Sequence, residues 1–188
     1  MSVQPKAGPT ARMNVDEFLA WAEGQPGRYE LVDGEVFAMS PERIRHAETK
    51  LATYQALGAA IRAASLPCRV LPDGVAVRID ASASFEPDAL VYCGERLDPN
   101  ATTVAEPVVI VEVLSPSTRH VDTGTKLMGY FCLPSLQHYL ILDTERRTVI
   151  HHRRSTSDLI ETRIAASGDL SLDPPGLTLS VASLFAEP

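Results

Sequence analysis

Apolar positions recur at helical spacing in three stretches of this chain and in short, strand-length runs elsewhere. Behind Asn14, the residues Val15, Phe18, Leu19 and Ala22 follow the i, i+3, i+4, i+7 rule, and Glu17 completes a capping box. Gly24 and Pro26 end that helix. Residues 28–32 and 35–39 flank Asp33-Gly34, which predicts a hairpin with a tight primed turn. Ser40-Pro41 then predicts a helix start, Ser as cap and Pro in the first helical position, with the helix running to about Ala64. Its expected buried stripe is Ile44, Leu51, Tyr54, Gly58 and Ile61, with His46 off that stripe on the side of Lys50 and Thr53.

The second half reads mainly as strands. Residues 69–71 and 75–79 flank a Pro72-Asp73-Gly74 turn, and Glu86-Pro87-Asp88 leads into the apolar run Ala89 to Tyr92. Val108 to Leu114 holds six apolar residues, five of them β-branched, and reads as a strand buried on both faces. Ser115-Pro116-Ser117-Thr118 breaks it, and a helix carrying Lys126, Leu127, Tyr130 and Phe131 stops near Pro134. Residues 137–143 alternate again, with Thr148 to Ile150 as the hairpin partner across Thr144-Glu145. Short strands broken by Gly168, Pro174-Pro175 and Gly176 complete the pattern. Flanking helices on a mixed sheet predict an α/β domain in layers over residues 14–188, behind a frayed tail at 1–13.

Composition narrows the class. A hydrophobic fraction of 45% and a charged fraction of 22% are those of a soluble globular protein. The apolar runs fall far short of the roughly 20 residues of a membrane span, and residues 1–13 lack the apolar core of a signal peptide. Cys68, Cys93 and Cys132 form no C-x-x-C pair and read as separate core hydrophobes of a cytoplasmic protein. The net charge of −7 argues against indiscriminate polyanion binding. Against it stands one cationic stretch, Arg146-Arg147 with His151 to Arg154, read either as a solvated hairpin edge or as a phosphate contact.

The chemistry resides in two acids. Glu112 stands inside the most apolar run, where a lone carboxylate costs more than a strand can offset. Asp88 opens the apolar run before it. If the two strands pair, these acids approach closely, and both stay ionised only with a cation between them. Mg²⁺ fits, since it takes one or two carboxylates and keeps positions for water and phosphate. Lys126 adds a positive charge from the following helix, and Glu30 on the first hairpin offers a third acid.

In order along the chain, Tyr29-Glu30-Leu31-Val32-Asp33-Gly34-Glu35, His46, Pro87-Asp88, Val111 to Thr118, Lys126 with Tyr130, and Tyr139 to Asp143 resemble the Uma-two family. These are restriction-endonuclease-like proteins of the PD-(D/E)XK nuclease superfamily, and the resemblance runs from about Asn14 to Phe185. It implies a restriction-endonuclease-like core, a mixed central β-sheet flanked by helices. It also implies DNA phosphodiester hydrolysis with Mg²⁺ or Mn²⁺ on Asp88, Glu112 and the Val113 carbonyl. Lys126 is implied to orient the attacking water, with Glu30 beside the metal and His46 without an assigned role. The superfamily's Glu-x-Lys motif is altered here, because Leu114 occupies the lysine position and the resemblance implies that Lys126 replaces it. DNA is the implied substrate and a homodimer the implied assembly, with no membrane partner.

Blander readings stand beside these. Glu112 and Lys126 could be a structural pair holding helix to sheet, although a buried pair rarely outperforms apolar residues. A nuclease fold kept as a binding or regulatory module without turnover is the rival function. Ser115, His120 and Asp122 have triad residue types but sit on one loop without a nucleophile elbow. Adjacent His151 and His152 point to opposite faces, so at most one could join His138 on zinc.

Overall fold

A computed structural model describes residues 11–114, 124–156 and 159–185. Asn14 caps α1 (Val15–Ala22), its side chain accepting from the Glu17 amide while Glu17 accepts from the Asn14 amide, as the capping-box spacing predicts. The hairpin β1 (Tyr29–Val32) and β2 (Glu35–Ala38) turns at Asp33 and Gly34, both in the left-handed region. Next along the chain come α2 (Ile44–Ala63), β3 (Cys68–Pro72), β4 (Val77–Arg78), β5 (Ser84–Phe85) and β6 (Ala89–Cys93). Then follow β7 (Val109–Val113), α3 (Lys126–Phe131), β8 (His138–Asp143) and β9 (Thr148–Arg154). The last elements are β10 (Ile160–Ala165), β11 (Asp169–Leu172), β12 (Leu177–Ser180) and α4 (Val181–Leu184).

A mixed sheet in the order β10-β9-β8-β7-β6-β3 carries the fold, with β7 and β8 parallel and the other neighbours antiparallel. Alternation along β7 separates two cores. Val109, Val111 and Val113 pack with Leu57 and Ile61 of α2 and with Leu170, Leu177 and Leu184, while Ile110 and Leu114 pack with Phe85, Tyr130 and Tyr139. A four-stranded sheet, β2-β1-β5-β4, brings the first hairpin beside the second core. Among the described residues no helix is long and apolar enough to cross a membrane.

Four expectations are corrected. The helix after Pro41 begins at Ile44, because residues 40–43 stay outside it and Glu42 turns back to Lys50. Its buried face is Thr49, Lys50, Ala52, Thr53, Leu57, Gly58 and Ile61, whereas Ile44, Leu51 and Tyr54 are exposed. Lys50 faces inward because it meets Glu42, Asp73 and Asp88 there. Cys68 and Cys93 are not separate hydrophobes: the β3–β6 register sets them opposite each other as a disulfide, and Cys132 is exposed. The basic segment is no sheet edge, since β9 lies between β8 and β10. Arg154 donates to the carbonyls of Phe131, Leu133 and Leu136, Arg147 to that of Phe185, and Arg153 pairs with Glu161.

His138 and His151 meet across β8 and β9, Nδ1 to Nε2 at 2.9 Å, and His138 Nε2 lies 2.8 Å from the Pro174 carbonyl. A carbonyl only accepts, so His138 carries its proton on Nε2 and His151 donates to its Nδ1. His152, on the other face, bonds Thr162 instead. Burial, chiefly, holds both His138 and His151 at about 4, with the nearby Arg153 charge in the same direction. Depressed histidines stabilise the fold fully above their unfolded value near 6.5, and that contribution disappears as pH falls through 4. The expected loss is on the order of 3 kcal/mol per imidazole. Urea midpoints at pH 7, 5.5 and 4 check it, and a His138→Gln/His151→Gln variant should lose the slope in that window.

Candidate active site

Glu112 is buried in β7 and is reached from α3. One of its oxygens, Oε1, accepts from Lys126 Nζ at 2.9 Å and from the Tyr130 hydroxyl at 2.8 Å. Lys126 and Tyr130 are four residues apart, one above the other on the helix. The lysine is 3% exposed and also lies 2.8 Å from Glu30 Oε1. Glu30 in turn accepts from the Glu86 amide at 2.8 Å, which fixes the first hairpin against the end of the main sheet. Burial, and next the Glu112 charge, push the Tyr130 phenol well above its usual range, so it remains a donor. Leu114, two residues after Glu112, packs in the second core. Lys126 therefore brings to Glu112 the ammonium that the strand does not.

Asp88 is buried at the mouth of β6, whose pairing with β7 is antiparallel and ends at Ala89 opposite Val111. Pro87 has no amide hydrogen with which to prolong that ladder. The Asp88 carboxylate takes over, its Oδ2 accepting from the Val113 amide at 2.7 Å. From α2, His46 Nε2 stands 3.4 Å from Oδ2 and Lys50 Nζ 3.1 Å from Oδ1. Burial alone would raise this carboxyl. The hydrogen bond to His46, the Lys50 charge and the Val113 amide outweigh it and hold Asp88 at about 2. It is therefore an anion at any physiological pH.

Ion pairs gather around each acid in two groups, and the Glu86 amide donating to Glu30 links one group to the other. Lys50 also lies 2.6 Å from Glu42 and 2.5 Å from Asp73, and Arg28 bonds Asp73 at 2.6 Å and Glu86 at 2.6 Å. Burial alone would lower Lys50, yet the carboxylates of Asp88, Asp73 and Glu42 together push it above its usual range. Among the described residues, six carboxylates (Glu30, Glu42, Asp73, Glu86, Asp88 and Glu112) meet three permanent cations, Arg28, Lys50 and Lys126. That surplus of negative charge is what a divalent cation would neutralise. Glu42, His46 and Asp88 offer ligand atoms all within 4.8 Å of one another. Two carboxylates and an imidazole suit Mn²⁺ as well as Mg²⁺.

Of the residues singled out in the sequence, Asp88, Glu112, Lys126, Glu30 and His46 all lie in this network, and Val113 enters it through its amide. Arg28, Glu42, Asp73 and Glu86 were not anticipated. The one sequence signal for this side was His46 and Lys50, four residues apart on a helix. Ser115, His120 and Asp122, like the Ser115 to Thr118 segment, lie outside the described residues.

A mixed sheet with helices and a carboxylate-rich end defines a restriction-endonuclease-like α/β fold. The crystal structure of "a putative nuclease belonging to DUF820" from Anabaena variabilis superimposes with a TM-score of 0.72. The match covers 92% of this chain and 97% of that one, at 19% identity. The Uma2 family model, described as "Putative restriction endonuclease", matches residues 15–182, and the chain belongs to that family. The uncharacterized protein slr1290 of Synechocystis is 26% identical over 195 residues, covering 98% of this chain and 97% of its own length.

Proposed function

We propose that this protein is a Mg²⁺-dependent endonuclease that hydrolyses DNA phosphodiester bonds, with Mn²⁺ as a substitute ion. The observation that carries this reading is the pair of buried acids, Glu112 on β7 and Asp88 at the mouth of the neighbouring β6, each with a lysine against it. Asp88 and Glu112 would hold the ion together with the Val113 carbonyl, and His46 and Glu42 would extend the ligand set on the Asp88 side. Once bound, such an ion polarises a phosphate and lowers the pKa of a water. Lys126 orients the attacking water and offsets charge building on the phosphoryl oxygens. Glu30 and Tyr130 are positioning residues, one aiming the ammonium and the other the Glu112 carboxylate. Action on two strands suits a homodimer.

The experiment is incubation of the purified protein with supercoiled, linear and single-stranded DNA in Mg²⁺ or Mn²⁺, with chelator controls. Cleavage that the chelator abolishes is expected; no cleavage of any substrate with either ion overturns the reading. One observation favours the rival, a nuclease fold kept as a regulatory or binding module: Lys126 is held between Glu30 and Glu112. Calorimetry with Mn²⁺ separates the two, because a protein that takes no ion even beside DNA cannot run this chemistry.

A further inference from the structure

The strand β10 ends the main sheet, and no described strand pairs with its outer side. Five of its six residues are exposed on a strand that contains no proline. Ile160, Thr162 and Ile164 share one face, with Ile160 42% and Ile164 69% exposed, while Glu161 and Arg163 share the other. Soluble proteins protect such edges with charge, bulges or proline. The charges here have an unusual arrangement. Read in either direction from Thr162, the order is one charge and then one isoleucine, and the two charges are opposite in sign.

We infer that β10 pairs antiparallel with β10 of a second copy of this chain, about a twofold axis through Thr162. In that register Glu161 faces the partner's Arg163, Arg163 faces the partner's Glu161, and each Ile160 meets the partner's Ile164. An isologous contact must be self-complementary, and this strand is so in both charge and apolar contact. Within its own chain Arg153 already holds Glu161 at 2.6 Å, so the partner's Arg163 completes a ladder of alternating charge across the new sheet. Outward-facing backbone donors and acceptors of the edge are satisfied in the same step. The opposite edge, β3, is the poorer candidate, since it ends in Pro72.

Sedimentation of the full chain at micromolar concentration should give a dimer. Arg163→Glu places a carboxylate opposite the partner's Glu161 on both sides of the axis and should raise the dissociation constant on the order of 100-fold. Glu161→Arg should do the same with the opposite sign. Mixed in equal amounts, the two variants should assemble into a heterodimer, because every cross-strand pair is then complementary. A wild-type monomer, a dimer that survives Arg163→Glu, or a mixture that stays monomeric overturns the inference. If circular dichroism shows either charge variant unfolded, Ile164→Lys on the other face takes its place and must also yield monomer. The surface is independent of the nuclease reading: a dimer without cleavage, or cleavage by a monomer, tells the two apart.

Discussion

Asp88→Asn and Glu112→Gln should each lower the proposed metal-dependent DNA cleavage on the order of 10³-fold and should both retain the fold. Each replacement is nearly isosteric and removes one negative charge. The new carboxamide at position 88 still presents a carbonyl oxygen toward the Val113 amide, and the one at position 112 still accepts from Tyr130, so the local hydrogen bonds survive. What is lost is the charge that would bind the ion. The two variants differ in a second readout. Asp88→Asn also loosens His46 and Lys50 and should weaken Mn²⁺ binding in calorimetry; Glu112→Gln frees Lys126 toward Glu30 alone. Arg69→Gln, exposed at the far end of β3, is the control and should cleave as the wild type does. Equal cleavage in all four proteins would place the activity elsewhere.

Lys126→Met should cost about 3–5 kcal/mol of unfolding free energy at pH 7. Methionine fits the space of the lysine stem, so the loss is electrostatic. Glu112 is 4% exposed and Glu30 lies close to the same ammonium, so removing it leaves two carboxylates facing each other away from water. Adding Glu112→Leu to Lys126→Met should recover much of the loss, because the more deeply buried acid is then gone. Urea denaturation of the wild type, the single variant and the double variant measures both effects. A cost below about 1 kcal/mol for the single change would mean that water already screens this pair.

The contrast between what was legible in the sequence and what was not has a physical origin. Glu112 was conspicuous because one charged residue in an otherwise apolar run breaks a rule that burial enforces. The Asp33-Gly34 hairpin and the Asn14 cap were legible because turn and cap chemistry act over two or three residues. The polar face of α2 was misread since an amphipathic pattern assumes an apolar interior. Lys50 faces inward because Asp88, Asp73 and Glu42 lie there, while Thr49 turns its hydroxyl back to the Arg45 carbonyl. Arg28, Asp73 and Glu86 come together across separations of 45 and 58 residues, which no local spacing encodes. The cysteine pairing likewise depends on strand register, a property of two strands together.

That pairing has a bearing on the chemistry. Along β3 and β6 the sulfurs close the rung Cys68–Cys93, whereas the rung Pro72–Ala89 adjoins Asp73 and Asp88. Three rungs lie between them, and the four residue steps span roughly 13 Å of strand. The covalent clasp thus grips the ladder at the end remote from the acids, where β7 and α2 already hold the carboxylates in place. A thiol-rich or an oxidising milieu would unlock or lock only that distant end, leaving the arrangement of acids and ammonium groups the same in both.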